Sequence, residues 1–156
     1  MATATEFPLV DVQIATNDEN IPANEDFQNW IAAALPKDKI ESEITVRIVG
    51  IQESQELNLR YRNQDKPTNI LSFPNEATVT VDPPLLGDLV ICAPVIEEEA
   101  REQEKTTRAH WAHIVVHGTL HLLGYDHQDE VDASKMEALE TKIVKLLGFP
   151  PPYKPI

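Results

Sequence analysis

Three histidines toward the end of the chain have the types and spacing of a metal site. His117 and His121 stand four residues apart, which on a helix puts both imidazoles on one face, about one turn from each other. Gly124 follows three residues later, where a left-handed residue would end a helix and turn the chain back. His127 comes three residues after that, within reach of the first two. Neutral imidazoles converging on one point are what a catalytic zinc needs, with a fourth position left to water. The whole pattern, H-x3-H-x2-G-x2-H, is far more specific than an HxxxH pair, which chance supplies often. His110 and His113 extend the same stripe. They are read as ordinary core histidines, without a ligand role.

The spacing matches that of metzincin proteases, H-E-x-x-H-x-x-G-x-x-H, except that Gly118 stands where those enzymes carry their general base. Peptide hydrolysis by that route is therefore disfavoured. A metal at this place still lowers the pKa of its water to roughly 7. Leu120, Leu122 and Leu123 are expected to wall the site with low-dielectric surface. Asp126 either orients a ligand from behind or makes a local turn bond, and the turn reading is preferred.

The elements that must position these histidines can be read from periodicity. PLVDVQI (8–14) alternates as a first strand, and Asn24 or Asp26 is expected to cap a helix carrying Phe27, Trp30, Ile31 and Ala34, ended by Pro36. In EITVRIVG (43–50), Ile44, Val46 and Ile48 share one face, as in a half-buried strand. Ser54 is expected to cap a short helix with Leu57 and Tyr61 on one side, stopped by Pro67. NILSF (69–73) and LGDLVICA (86–93) read as strands, and the segment between them as a loop or short hairpin arm. A charged helix is expected over about 95–103, and the histidine helix from Thr106 or Thr107 to Leu123. The last helix should begin near Asp132, bury Met136, Leu139, Ile143 and Leu146, and stop at Gly148. This order predicts a single α+β domain over 1–156, with residues 1–7 and 150–156 as tails. A mixed sheet of about four strands packs with five or so helices, without regular βαβ repetition.

Bulk properties narrow the chemistry. A single cysteine, Cys92, excludes an intrachain disulfide and a cysteine-rich zinc site. MATATEFPLV lacks the basic and apolar regions of a signal peptide, and no apolar run nears the ~20 residues of a membrane span, so the cytoplasm is expected. Thirteen Lys and Arg against 26 Asp and Glu leave a net charge of −13, which argues against coating nucleic acid through non-specific phosphate contacts. Residues 57–74 depart from that average, with Arg60, Arg62 and Lys66 against Asp65 alone. An RNA partner should touch there. EEEAREQE (97–104) is read as a solvated helix face.

HGTLHLLGYDH (117–127) resembles the signature of the YbeY family of ribosomal RNA maturation endoribonucleases. LNLRYRNQDKPTNILSFP (57–74) is similar to that family's arginine-bearing segment, LGDLVICAPVIEEEAREQ (86–103) to its central strand and following helix, and MEALETKIV (136–144) to its last helix. Together these span roughly residues 44–149. The resemblance implies a zincin-like mixed sheet with helices, and metal-dependent cleavage of single-stranded RNA in ribosomal RNA processing (the 3′ end of 16S ribosomal RNA) and ribosome quality control. It further implies His117, His121 and His127 as ligands of one zinc ion, although three imidazoles also suit nickel, copper or iron. The small ribosomal subunit and its proteins become the expected partners, with no membrane.

By position, Arg62 matches the family's functional arginine. A guanidinium can grip a phosphate in two prongs and offset the charge gained in phosphoryl transfer. Arg60 and Lys66 are weaker candidates for recruiting RNA, with plain surface charge the preferred reading. Either water or the RNA's own 2′-hydroxyl would be the attacking group. Two other classes stay open at this level. One is a metalloprotease-like amide hydrolase. The other is a non-catalytic, zinc-stabilised assembly factor whose acidity docks on basic ribosomal proteins.

Overall fold

A computed structural model describes residues 7–75, 84–126 and 129–153. His127 and Gln128, residues 76–83, on which the expected loop or hairpin arm mostly falls, and residues 1–6 and 154–156 lie outside the described residues. The chain runs β1 (Leu9–Ala15), α1 (Asn24–Ala34), a 3-10 turn (Lys37–Lys39), β2 (Glu43–Val49), α2 (Ile51–Arg62), β3 (Ile70–Pro74), β4 (Leu85–Cys92), α3 (Ala93–Glu102), α4 (Thr107–Leu122) and α5 (Glu130–Leu146). The strands order β1-β2-β4-β3. β1, β2 and β4 are parallel, and β3 returns antiparallel beside β4, pairing Ile70 with Ile91 and Pro74 with Gly87. This is the expected mixed-sheet α+β domain.

The alternating residues of β2 behave as expected, with Ile44, Val46 and Ile48 fully buried. They join Phe27, Trp30, Ile31, Leu89, Ile96 and Trp111 in the main core. α4 is buried nearly all round, from His110 to Leu122, which makes it the central helix rather than a surface one. Thr106 caps it by accepting the Ala109 N–H at 3.1 Å. A two-pronged ion pair, Arg108 to Asp26 at 2.9 and 2.7 Å, ties the start of α4 to α1.

Several expectations need correction. Ala23, not Asn24 or Asp26, is the N-cap of α1, and the Asp26 carboxylate instead accepts the Ala23 N–H at 3.2 Å. Asp129 caps α5, which starts two residues earlier than expected, by accepting the Asp132 N–H at 2.8 Å. Leu146 is 76% exposed, and Leu147 packs inward in its place. Gly148 does close the helix, in the left-handed region at φ 93°. Nor is the acidic stretch wholly solvated, because Glu99 bonds the Asn69 amide at 3.1 Å and His110 Nε2 at 2.9 Å. Burial raises the Glu99 carboxyl, but the bonds from His110 and Asn69 outweigh it and leave the pKa lowered.

Ser54 caps nothing. It lies inside α2, which begins after Gly50, and its buried hydroxyl both donates to Thr68 O and accepts Thr68 N–H at 3.0 Å. One turn on, the buried Asn58 amide donates to Lys66 O at 2.9 Å. α2 ends at Asn63 in the left-handed conformation (φ 58°), ahead of Pro67. The polar inner face of α2 thus clamps the connection to β3. Ser54→Ala should cost about 1–3 kcal/mol, because both backbone groups of Thr68 lose their partner. Denaturant unfolding checks this, and an unchanged midpoint would mean that water replaces the hydroxyl.

Candidate active site

α4 ends where the histidine spacing requires. Gly124 is left-handed at φ 104°, and two bonds, Gly124 N–H to His121 O at 3.0 Å and Tyr125 N–H to Leu120 O at 3.1 Å, close the turn. His117 and His121 sit on the last turns of the helix with their Nε2 atoms 3.1 Å apart. Two imidazoles bound tetrahedrally to one zinc at ordinary Zn–N lengths have nitrogens about 3.3 Å apart, so the pair is already spaced for a shared ion. Among the described residues no set of three metal-ligating side chains converges, and the expected third ligand, His127, lies outside them.

Behind His117 stands a carboxylate that hydropathy periodicity does not single out. Glu140 on α5 is fully buried, and its Oε1 lies 2.6 Å from His117 Nδ1 and 3.1 Å from His113 Nε2. Its Oε2 accepts from the Tyr153 hydroxyl at 2.9 Å. Burial alone raises the Glu140 carboxyl, but the hydrogen bonds from His113 and His117, with their charge, bring it down to about 2. Burial, followed by the Glu140 charge, pushes the Tyr153 phenol far above its usual range and keeps it a donor. A carboxylate at Nδ1 holds the proton there and leaves the Nε2 lone pair of His117 facing His121. Metal-binding histidines are commonly supported in this way. The donor set therefore fits a zinc-type ion. The sequence held a signal for Glu140, an acidic residue one turn after Met136 on the apolar stripe of α5, but periodicity alone reads it as an interruption.

An open cavity of about 510 Å³ lies in front of the two histidines. Its lining includes Arg62 from the end of α2, Thr68 and Asn69 from the clamped connection, Ser72 of β3, and Asp126. Arg62 has no ion-pair partner among the described residues, so the ordinary reading of a surface salt bridge does not describe it. Arg60 and Lys66 are exposed but do not line the cavity. None of the three leucines expected to wall the site lines this cavity: Leu120 and Leu122 are buried, and Leu120 and Leu123 face a neighbouring hollow. His110 and His113 are each engaged by a carboxylate, Glu99 and Glu140 respectively.

Gly118 faces the sheet. A Cβ there would stand 2.4 Å from Ile70 Cδ1 and 2.9 Å from Leu89 Cδ2, and Ser72 Oγ donates to the Gly118 carbonyl at 3.3 Å. The glycine is what lets α4 lie close against β3 and β4. Its place in the packing explains why a protease-type glutamate is not accommodated. Gly118→Ala gains about 1 kcal/mol of helix propensity. It must push aside the ends of the buried Ile70 and Leu89 side chains, an overpacking cost of about 1–3 kcal/mol. A net loss of up to about 2 kcal/mol is therefore expected in thermal or denaturant unfolding. Gly118→Glu should cost more and yield no cleavage of a casein substrate. A stable, proteolytic Gly118→Glu variant would contradict this packing argument.

A sequence model described as Endoribonuclease YbeY matches residues 11–148 of the chain. The solution structure of TM1509 from Thermotoga maritima is similar to it at a TM-score of 0.60 and 28% identity, covering 86% of this chain and 87% of that one.

Proposed function

The chain belongs to the YbeY endoribonuclease family, and from that premise we propose that it is a zinc-dependent, single-strand-specific endoribonuclease of ribosomal RNA maturation. Its substrate on this reading is the 3′ end of 16S ribosomal RNA, with a further part in ribosome quality control. It would act in the cytoplasm beside the small ribosomal subunit and its proteins. No helix among the described residues is long and apolar enough to cross a membrane.

The observation that carries the proposal is the pair of Nε2 atoms 3.1 Å apart, opening on a cavity that Arg62 also lines. We assign His117, His121 and His127 as ligands of one zinc ion. When bound, that ion supplies Lewis acidity, enough to bring the pKa of a water to roughly 7. Glu140 holds the Nδ1 proton of His117 and fixes the plane of its ring. Arg62 grips the phosphodiester through its planar fork and offsets the negative charge that grows during phosphoryl transfer. Arg60 and Lys66 are left as surface charge.

The test is cleavage of a single-stranded RNA spanning the 3′ end of small-subunit ribosomal RNA. Wild type should cut it, chelator should abolish cutting and zinc should restore it. His121→Ala should lose both zinc and activity. Arg62→Ala should keep the zinc and lose activity by a factor on the order of 10²–10³, as when one transition-state donor is removed. Equal cutting by all preparations would mark a contaminant. Wild type that holds zinc but cuts nothing would favour the assembly-factor reading, which the net charge of −13 also suits.

Glu140→Gln should weaken zinc binding roughly 10- to 100-fold in a competition titration, the usual cost of losing such support. Circular dichroism establishes that the variant is folded. Unchanged zinc affinity would show that Glu140 serves packing alone.

A further inference from the structure

A second hollow of about 450 Å³ adjoins the histidine cavity, between the end of α1, the end of α4 and α5. Tyr125 lines both hollows, and the residue is 42% exposed. Leu123, Leu139 and the 76%-exposed Leu146 contribute apolar lining, and Lys39 and Lys142 are the charged residues there. Among the described residues the lining contains no carboxylate, in a chain where acidic residues outnumber basic ones by 26 to 13. So local an inversion of charge, beside a cavity with which the hollow shares one lining aromatic ring, suits a polyanion that also presents flat apolar faces.

We propose that this groove carries the nucleotides flanking the cleaved bond of single-stranded RNA, with Tyr125, which lines both hollows, stacking a base. Lys39 and Lys142 supply the positive charge for the backbone phosphates, and the leucines supply surface for the bases. Aromatic stacking holds any base by its face, so it gives affinity without sequence preference. An amphipathic protein helix would use the leucines alone. It would leave the shared tyrosine and the missing carboxylates unexplained. The inference rests on reading the histidine cavity as an RNA-cleaving site.

The test is binding, measured with chelator-treated protein so that nothing is cut. Fluorescence anisotropy would compare 5′-labelled single-stranded RNAs of about four and about twelve nucleotides, lengths that fill one hollow or both. Wild type should bind the longer RNA more tightly. Tyr125→Ala, Lys142→Glu and Leu146→Glu should each lose roughly five- to tenfold in affinity for the longer RNA, and less for the shorter. Tyr125→Phe should bind as wild type does, because stacking needs the ring and not the hydroxyl. Lys135→Glu, the same charge change on the exposed side of α5, serves as the control for net charge. Groove variants that bind the longer RNA as tightly as Lys135→Glu does would overturn the proposal and hand the groove to a protein partner. That failure is distinct from failure of the underlying reading, which would show as zinc-loaded wild type that cuts no single-stranded RNA.

Discussion

A buried carboxylate organises the interior of this protein. Glu140 has no exposed surface, and charge at such a place is tolerated only when its hydrogen-bonding capacity is met. His113 and His117 of α4 and Tyr153 of the C-terminal segment meet it together. The contact joins two helices and the tail around one point, and that point lies directly behind a candidate metal ligand. Support for the fold and preparation of the site are thus one interaction. The segment carrying Tyr153 is itself held, since Lys105 Nζ donates to Pro152 O at 2.8 Å.

A second constraint comes from the other side of α4. Gly118 lets the helix settle on β3 and β4, which brings His117 and His121 beside the edge strand and opposite the end of α2. There the clamp from Ser54 and Asn58 holds the chain between Arg62 and Ile70. Sheet, clamp and helix end therefore set where the guanidinium stands relative to the imidazoles. The same glycine accounts for the divergence from the protease pattern in terms of space as well as chemistry.

Much of this was legible in the residues. Alternation in β2, the start of the histidine helix at Thr107, the helical spacing of His117 and His121, and the turn at Gly124 each rest on local rules, and each local rule held. The misses share a physical cause. Ser54, Asn58, Glu99 and Glu140 are polar residues whose partners lie 8 to 30 positions away, and hydropathy patterns treat such residues as caps, surface or interruptions. Leu146 erred in the opposite sense, because an apolar stripe cannot tell a core face from the wall of an open groove. Arg62 was found through resemblance, and the geometry adds that it lines the cavity the histidines line. His127 remains a reading of spacing.

The central claim is that His117 and His121 hold a metal ion that Glu140 helps to position. Anomalous diffraction at the zinc absorption edge from zinc-loaded crystals tests it most directly. The account predicts one peak per chain, bonded to Nε2 of both histidines at about 2.0–2.1 Å, with the Nδ1 of His117 still against Glu140 and His127 closing the set. A peak elsewhere, or zinc-loaded protein in which these two imidazoles face each other with no ion between them, would contradict it.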